Sequence, residues 1–231
     1  MKDVTSFSAR SPSPGRPRAK ADDLSLAEEA YALLTDEIVG LAIPPGSLVS
    51  EWMLSEKLGI GRTPIREALK LLARDYLVTL LPKRGVLVSS IDAHQMMHVL
   101  ETRRCLEPTR YARAARRGTA ADRAEIERLA GLLDHAAAAV DFREQVRIDI
   151  LFDNLVDRCA ANPFLTDTLK PLHGIVRRFW NQHAGTAGYD GIIGRHTALV
   201  RAVASGDPDR ATAACAAMLD YNEVLLRAML D

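Results

Sequence analysis

Apolar residues recur along most of the chain at three- and four-residue steps, the period of a helix with one buried face. The first stripe starts near Leu24 and runs through Leu26, Ala30, Leu33, Leu34, Ile38 and Leu41, and Pro44-Pro45-Gly46 is expected to end it. A short helix follows, with Ser50 as N-cap, Met53, Leu54 and Leu58 as apolar positions and Gly59 as its stop. A third helix begins around Arg62 to Pro64, where a proline suits the first turn because its missing N–H is not needed there. Ile65, Ala68, Leu69, Leu72 and Ala73 form its apolar face. The period then changes. Leu77 to Leu81, the turn Pro82-Lys83-Arg84-Gly85 and Val86-Leu87-Val88 predict a β-hairpin.

From Asp92 to the end there is almost no strand signal, only alanine- and leucine-rich helical patterns between short caps. Asp92 opens one helix, and Thr119 opens a second that ends near Val140. Asp141 with Glu144 resembles a capping box, while Asn162-Pro163 and Asp207-Pro208 open two more helices. Gly185 to Gly191 is the one long glycine-rich loop. Residues 1–22, rich in Ser, Pro, Arg and Lys, read as a disordered basic tail. The predicted fold is mostly α: an α+β winged helix-turn-helix over residues 24–90, then an all-helical antiparallel bundle over residues 92–231.

Composition sharpens this little. Apolar residues are 48% and charged residues 26% of 231, as in ordinary globular proteins. No apolar run approaches the ~18–20 residues that span a bilayer. No apolar stretch follows the charged first residues, so no secretory signal and no membrane association are expected. The three cysteines, Cys105, Cys159 and Cys215, are too scattered for a disulfide framework or a paired-cysteine metal site, and read as buried thiols of a cytoplasmic protein.

Net charge is zero, but its distribution is informative. Between Ile60 and Gly85 six basic residues (Arg62, Arg66, Lys70, Arg74, Lys83, Arg84) face two acidic ones (Glu67, Asp75), a local excess of +4. That patch falls on the third helix and the hairpin turn, where a winged helix-turn-helix presents charge to phosphate. Arg62 and Arg66 are four apart and share one face, opposite Ile65, Leu69 and Leu72.

The ordered run Pro45-Gly46, Leu54-Ser55-Glu56-Lys57-Leu58-Gly59-Ile60, Arg62-Thr63-Pro64-Ile65-Arg66-Glu67-Ala68-Leu69, Leu77-Val78 and Gly85 resembles the GntR family of bacterial transcription regulators. The resemblance implies that Arg62, Thr63 and Arg66 contact an operator, with Lys83, Arg84 and Gly85 of the wing beside them. Three positions depart from the family pattern: Trp52 replaces a DNA-contacting Arg, Gly61 a capping Ser and Tyr76 a helix-ending Gly. Gly for Ser at a cap costs only a few tenths of a kcal/mol. A lost base-reading Arg costs roughly 1–3 kcal/mol.

Behind the head, Arg103-x-x-Leu106-Glu107, Asp149-x-x-Phe152, Asn162-Pro163-x-Leu165, His196 and Gly206-Asp207 followed by Ala211 resemble the FCD domain of the FadR-like branch. Many such domains hold a divalent metal such as zinc on an Asp and three His. This chain keeps Asp149 and His196 but has Asp153 and Met218 at two expected His positions, so a full three-His site is excluded. Tyr221, one turn beyond Met218, is a further candidate for the cavity. The resemblance places Arg103 in that cavity, gripping a carboxylate in two-pronged fashion.

Read from spacing alone, Asp149, Asp153 and Asp157 fall at i, i+4 and i+8 on one face, bordering Phe152 and Val156. Three readings are open: a metal held by Asp149, Asp153 and His196, an internal network of ion pairs with an arginine such as Arg103, or solvated acids. His94, His98, His135, His173 and His183 show no ligand spacing and read as surface or packing residues. The function expected is a homodimer on a palindromic double-stranded operator, a repressor by default with activation equally compatible, controlled by a small carboxylate effector bound by Arg103, Asp149, Asp153, His196, Met218 and Tyr221. The rivals are a metal-dependent enzyme using Asp149 and His196, for which no nucleophile motif or phosphate loop is found, and an architectural protein without an effector.

Overall fold

The computed structural model describes residues 25–186 and 188–230. The expected tail of residues 1–22 and the start of the first stripe at Leu24 lie outside them. Helix α1 (Leu26–Val39) starts on a complete capping box, in which Ser25 accepts from the Glu28 N–H and the Glu28 carboxylate accepts from the Ser25 N–H. It buries Ala30, Leu34, Ile38 and Val39 but leaves Leu26 and Leu33 exposed, so the buried stripe is narrower than expected. It also stops at Gly40, before the prolines, because Leu41 turns to a positive φ of 61°.

Strand β1 (Leu48–Val49) leads into α2 (Glu51–Leu58), capped by the Ser50 hydroxyl and stopped by Gly59 in the left-handed region. Helix α3 (Arg62–Arg74) buries Ile65, Ala68, Leu69 and Leu72. Strands β2 (Val78–Leu81) and β3 (Gly85–Val88) form the hairpin. The two-residue β1 carries no periodicity of its own and was not expected. It pairs antiparallel with β3, Leu48 opposite Leu87, giving a three-stranded sheet in the order β1-β3-β2. Gly85 is required at the wing: its φ is +106°, and a Cβ there would lie 2.7 Å from the Val49 carbonyl oxygen.

Among the described residues six helices follow: α4 (Ala93–Arg117), α5 (Ala120–Ala138), α6 (Phe142–Ala160), α7 (Pro163–Gln182), α8 (Tyr189–Ala204) and α9 (Pro208–Leu230). Asp92, Thr119, Asp141 and Asn162 cap α4 to α7 as their positions suggest. Helix α8 was not separated from the glycine-rich loop by sequence, and it begins inside that stretch at Tyr189. Helices α4 and α9 pack together, as do α5 with α8 and α6 with both α4 and α5. Among the described residues the hydrophobic cores are two, without shared members: one built from Ala30 to Val88, the other from Met96 to Leu226. No helix among the described residues is long and apolar enough to cross a membrane. Cys159 and Cys215 are buried, but Cys105 is exposed, contrary to the expectation of three buried thiols.

Helix α7 faces both cores. Its Arg178 donates to the Ser89 carbonyl (2.5 Å) and its Asn181 to the Val39 carbonyl (2.9 Å). Lys170 lies over the Tyr31 ring, and Gly174 comes up against Leu77.

Candidate nucleic-acid interface and ligand cavity

The first turn of α3 presents Arg62 and Thr63 to solvent, and Arg66 follows one turn on, also exposed. Its N-cap, Gly61, supplies no side-chain hydrogen bond, and the first turn carries no acidic residue. The helix therefore offers open N–H groups and the positive end of its dipole, a site suited to an anion such as phosphate. At the wing, Lys83 and Arg84 are exposed, with Lys83 at φ 60°. The +4 patch is partly neutralised from within: Lys70 pairs with Glu67 and Arg74 with Asp75. Arg66 donates to both carboxylate oxygens of Glu51 on α2, at 2.7 to 3.1 Å. Among the described residues Arg62, Lys83 and Arg84 make no ion pair. Trp52 and Tyr76 are both more than half exposed, and Tyr76 takes the positive φ (62°) that glycine would take at the end of α3.

The helical domain encloses a cavity of about 100 Å³ lined by Arg103, Asp149, Asp153, His196 and Met218, together with residues of α7 and α9. Tyr221 is not in its wall. Its hydroxyl donates to the Gly188 carbonyl (3.0 Å), the Arg195 guanidinium stacks 3.8 Å over its ring, and it packs so closely on Gly191 that no side chain fits there. It therefore fastens the start of α8.

The acids of α6 are neither solvated nor arranged around a metal. Asp149 Oδ1 lies 3.0 Å from His196 Nε2, and Asp149 Oδ2 accepts from Arg177 Nε. Asp153 Oδ1 lies 2.8 Å from Arg110 Nη1, while its Oδ2 faces His173 Nδ1 at 2.9 Å and Arg177 Nη2. Asp157 accepts from Arg110 Nε at 2.7 Å. Among the described residues no group of three or more His, Cys, Asp and Glu is placed to hold a metal ion. The expected metal set Asp149, Asp153 and His196 thus does not fit a metal as arranged: a guanidinium lies across both carboxylates, and Met218 adds only a thioether.

Arg103 is in the cavity wall, but its Nε and Nη2 are already bound to both oxygens of its own Glu107 (2.7 and 3.1 Å). The arginine partners of the α6 acids are Arg177 and Arg110, not Arg103. His173, expected at a surface or packing position, is buried with Nε2 2.8 Å from Glu107 and Nδ1 2.9 Å from Asp153. Arg110, Arg177 and His173 were missed, although the spacings Arg103-Glu107-Arg110 and His173-Arg177 repeat on helix faces that also carry apolar residues. Burial opposes ionisation of Glu107, yet the Arg103 guanidinium and His173 overcome it and hold the carboxyl at about 2. Burial likewise opposes the charge on His173, but Asp153 and Glu107 raise its pKa above the ordinary value. Burial disfavours the charged Asp153, and His173, Arg110 and Arg177 hold it well below the usual carboxylate range.

Two polar atoms in buried cavity-wall residues, Trp180 Nε1 and Asn222 Oδ1, have no hydrogen-bond partner among the described residues. Between head and bundle lies a larger groove of about 820 Å³. Asp153, His173, Arg177 and Asn181 belong to the walls of both spaces.

A family model described as "Bacterial regulatory proteins, gntR family" matches residues 26–88, and the FCD domain model matches residues 98–221. The chain is similar to the uncharacterized HTH-type transcriptional regulator YieP of Escherichia coli (29% identity over 199 residues, 76% of this chain and 84% of that protein). It is also similar to the HTH-type transcriptional repressor RspR of Escherichia coli (27% identity, 65% of this chain and 66% of that protein). Among solved structures, E. coli McbR/YncC superposes with a TM-score of 0.76 at 22% identity, covering 90% of this chain and all of that one. A GntR regulator from Rhodococcus sp. RHA1 gives 0.67 at 20% identity, covering 87% of this chain and 97% of that one, and both share the fold. The families and relatives are regulators, not enzymes. The chain belongs to the gntR family of bacterial regulatory proteins, as a DNA-binding transcription regulator with an FCD domain.

Proposed function

We propose that operator binding by the head is controlled by a small organic acid held in the helical cavity. One observation carries this reading: α7 supplies His173, Arg177 and Trp180 to the cavity wall and Lys170 and Arg178 to the head, while Asn181 reaches both. A ligand that shifts α7 by a fraction of an ångström changes the seat of the head, because both contacts are on one rigid helix. Arg103 and the unpartnered Trp180 N–H meet the acid's carboxylate, and Asn222 Oδ1 accepts from a donor elsewhere on it. Arg62, Thr63 and Arg66 enter the major groove and Lys83, Arg84 and Gly85 approach the backbone, with positive charge and open helix N–H groups supporting this placement. Two copies pair so that two heads meet the halves of a palindrome. Repression, the activity in the name of RspR, is the default sign.

The test screens small carboxylates for a rise in melting temperature, then measures DNA affinity with and without each acid that stabilises the protein. The wild type is expected to change affinity roughly 5- to 150-fold, the usual range of allosteric coupling. Arg178→Ala with Lys170→Ala, two head contacts outside the cavity wall, should keep the thermal shift and lose most of that change. An undiminished change in the double variant would remove α7 from the mechanism, and failure of every acid to stabilise the protein would remove the effector.

A further inference from the structure

We infer that Arg177 is the resident cation of the helical cavity, and that this domain functions without a bound metal. Asp149 and Asp153 are one turn apart on α6, and two carboxylates so placed repel unless a cation lies between them. Arg177 reaches over from α7 and spans them, Nε on Asp149 and Nη2 on Asp153. His196 closes the other oxygen of Asp149, and Arg110 and His173 complete Asp153, so every oxygen of the pair already faces a nitrogen donor.

A divalent ion on Asp149, Asp153 and His196 would need oxygen and nitrogen at about 2.0–2.2 Å, in space the guanidinium holds. A divalent ion there would also meet the positive charge of Arg177 and Arg110, and that repulsion is weakly screened inside the bundle. A guanidinium tethered to α7 also needs no free ion and pays no entropy of capture. The same donors, an oxygen-nitrogen set of the kind that suits zinc, form a metal site only when Arg177 is removed. This inference is independent of whether an acid enters the cavity.

The test uses the full chain, metal analysis of the purified protein, and melting temperatures with a chelator or with zinc. Wild type is expected to carry far less than one metal per chain and to melt at the same temperature in both solutions. Arg177→Ala should melt lower in chelator and regain stability in zinc, with the folded-to-unfolded ratio rising about 100-fold at a zinc concentration 100 times the dissociation constant. Arg177→Lys keeps a cation and should not respond to zinc. If Arg177→Ala does not fold, the wild-type measurement decides alone. One metal per wild-type chain, lost in Asp149→Asn, would overturn the inference, and so would a folded Arg177→Ala whose stability is indifferent to zinc.

Discussion

Arg66 and Arg177 are the same residue put to opposite use. Arg66 has 58% of its side chain exposed and holds a single carboxylate, Glu51, itself a third exposed. Arg177 has 14% exposed and spans two carboxylates from a neighbouring helix. An exposed pair is worth little, so phosphate can displace Glu51 at small cost. A buried arginine cannot leave without stranding two acids in low dielectric. Charge in the head is exchangeable, as the proposed recognition of DNA requires, and charge in the bundle is not.

The contrast is broken most severely inside the bundle. Arg110 is fully buried and contacts Asp153 and Asp157, so Arg110→Ala is expected to lower unfolding free energy by roughly 3–5 kcal/mol in urea titration. A loss under 1 kcal/mol would mean that the acids find water or another partner. The next effect is on pH. The raised pKa of His173 stabilises the fold below the ordinary histidine value, and that contribution is lost as pH rises through the raised value. The depressed Glu107 works on the other side: its contribution is present above the ordinary glutamate value and is lost as pH falls toward about 2. Melting temperature should therefore peak on the mildly acidic side of neutrality. His173→Gln, which stays between Glu107, Asp153, Arg110 and Arg177, should flatten the alkaline decline most, and change the acid side less because Arg103 stays on Glu107 and Arg110 and Arg177 stay on Asp153. An alkaline decline unchanged in that variant would assign it to another group. The smallest effect is in the head: Glu51→Gln frees Arg66 and should tighten DNA binding a few-fold at low salt, within the energy of an exposed pair.

The same contrast explains what was legible in the sequence. Caps at Ser50, Asp92, Thr119 and Asn162 were readable because a cap acts within three residues of itself. The apolar face of α3 was readable because one helix carries it whole. Asp149, Asp153 and His196 stood out by spacing and resemblance, but their surroundings did not, since Arg177 is 28 and 24 residues from its acids and Arg110 is 43 from Asp153. The four-residue step from His173 to Arg177 marks a shared face of α7, but nothing local names the acids that face meets. Tyr221 was misplaced for a related reason: one turn from Met218 along α9, it is turned toward the start of α8. The two-residue β1 is defined by its partner β3 rather than by its own pattern.

Whether the exposed arginines of α3 read DNA, as proposed, is tested most directly by salt-dependent binding to the DNA upstream of the protein's own gene. Wild type should bind a discrete site with a steep negative slope of log affinity against log salt. Arg66→Ala should bind that site about 10- to 100-fold more weakly, with a slope shallower by about one if its contact is to phosphate. Equal, weak binding by both proteins at every salt concentration would contradict the claim, and would mean that a head with Trp52 and Gly61 at its recognition surface no longer reads sequence.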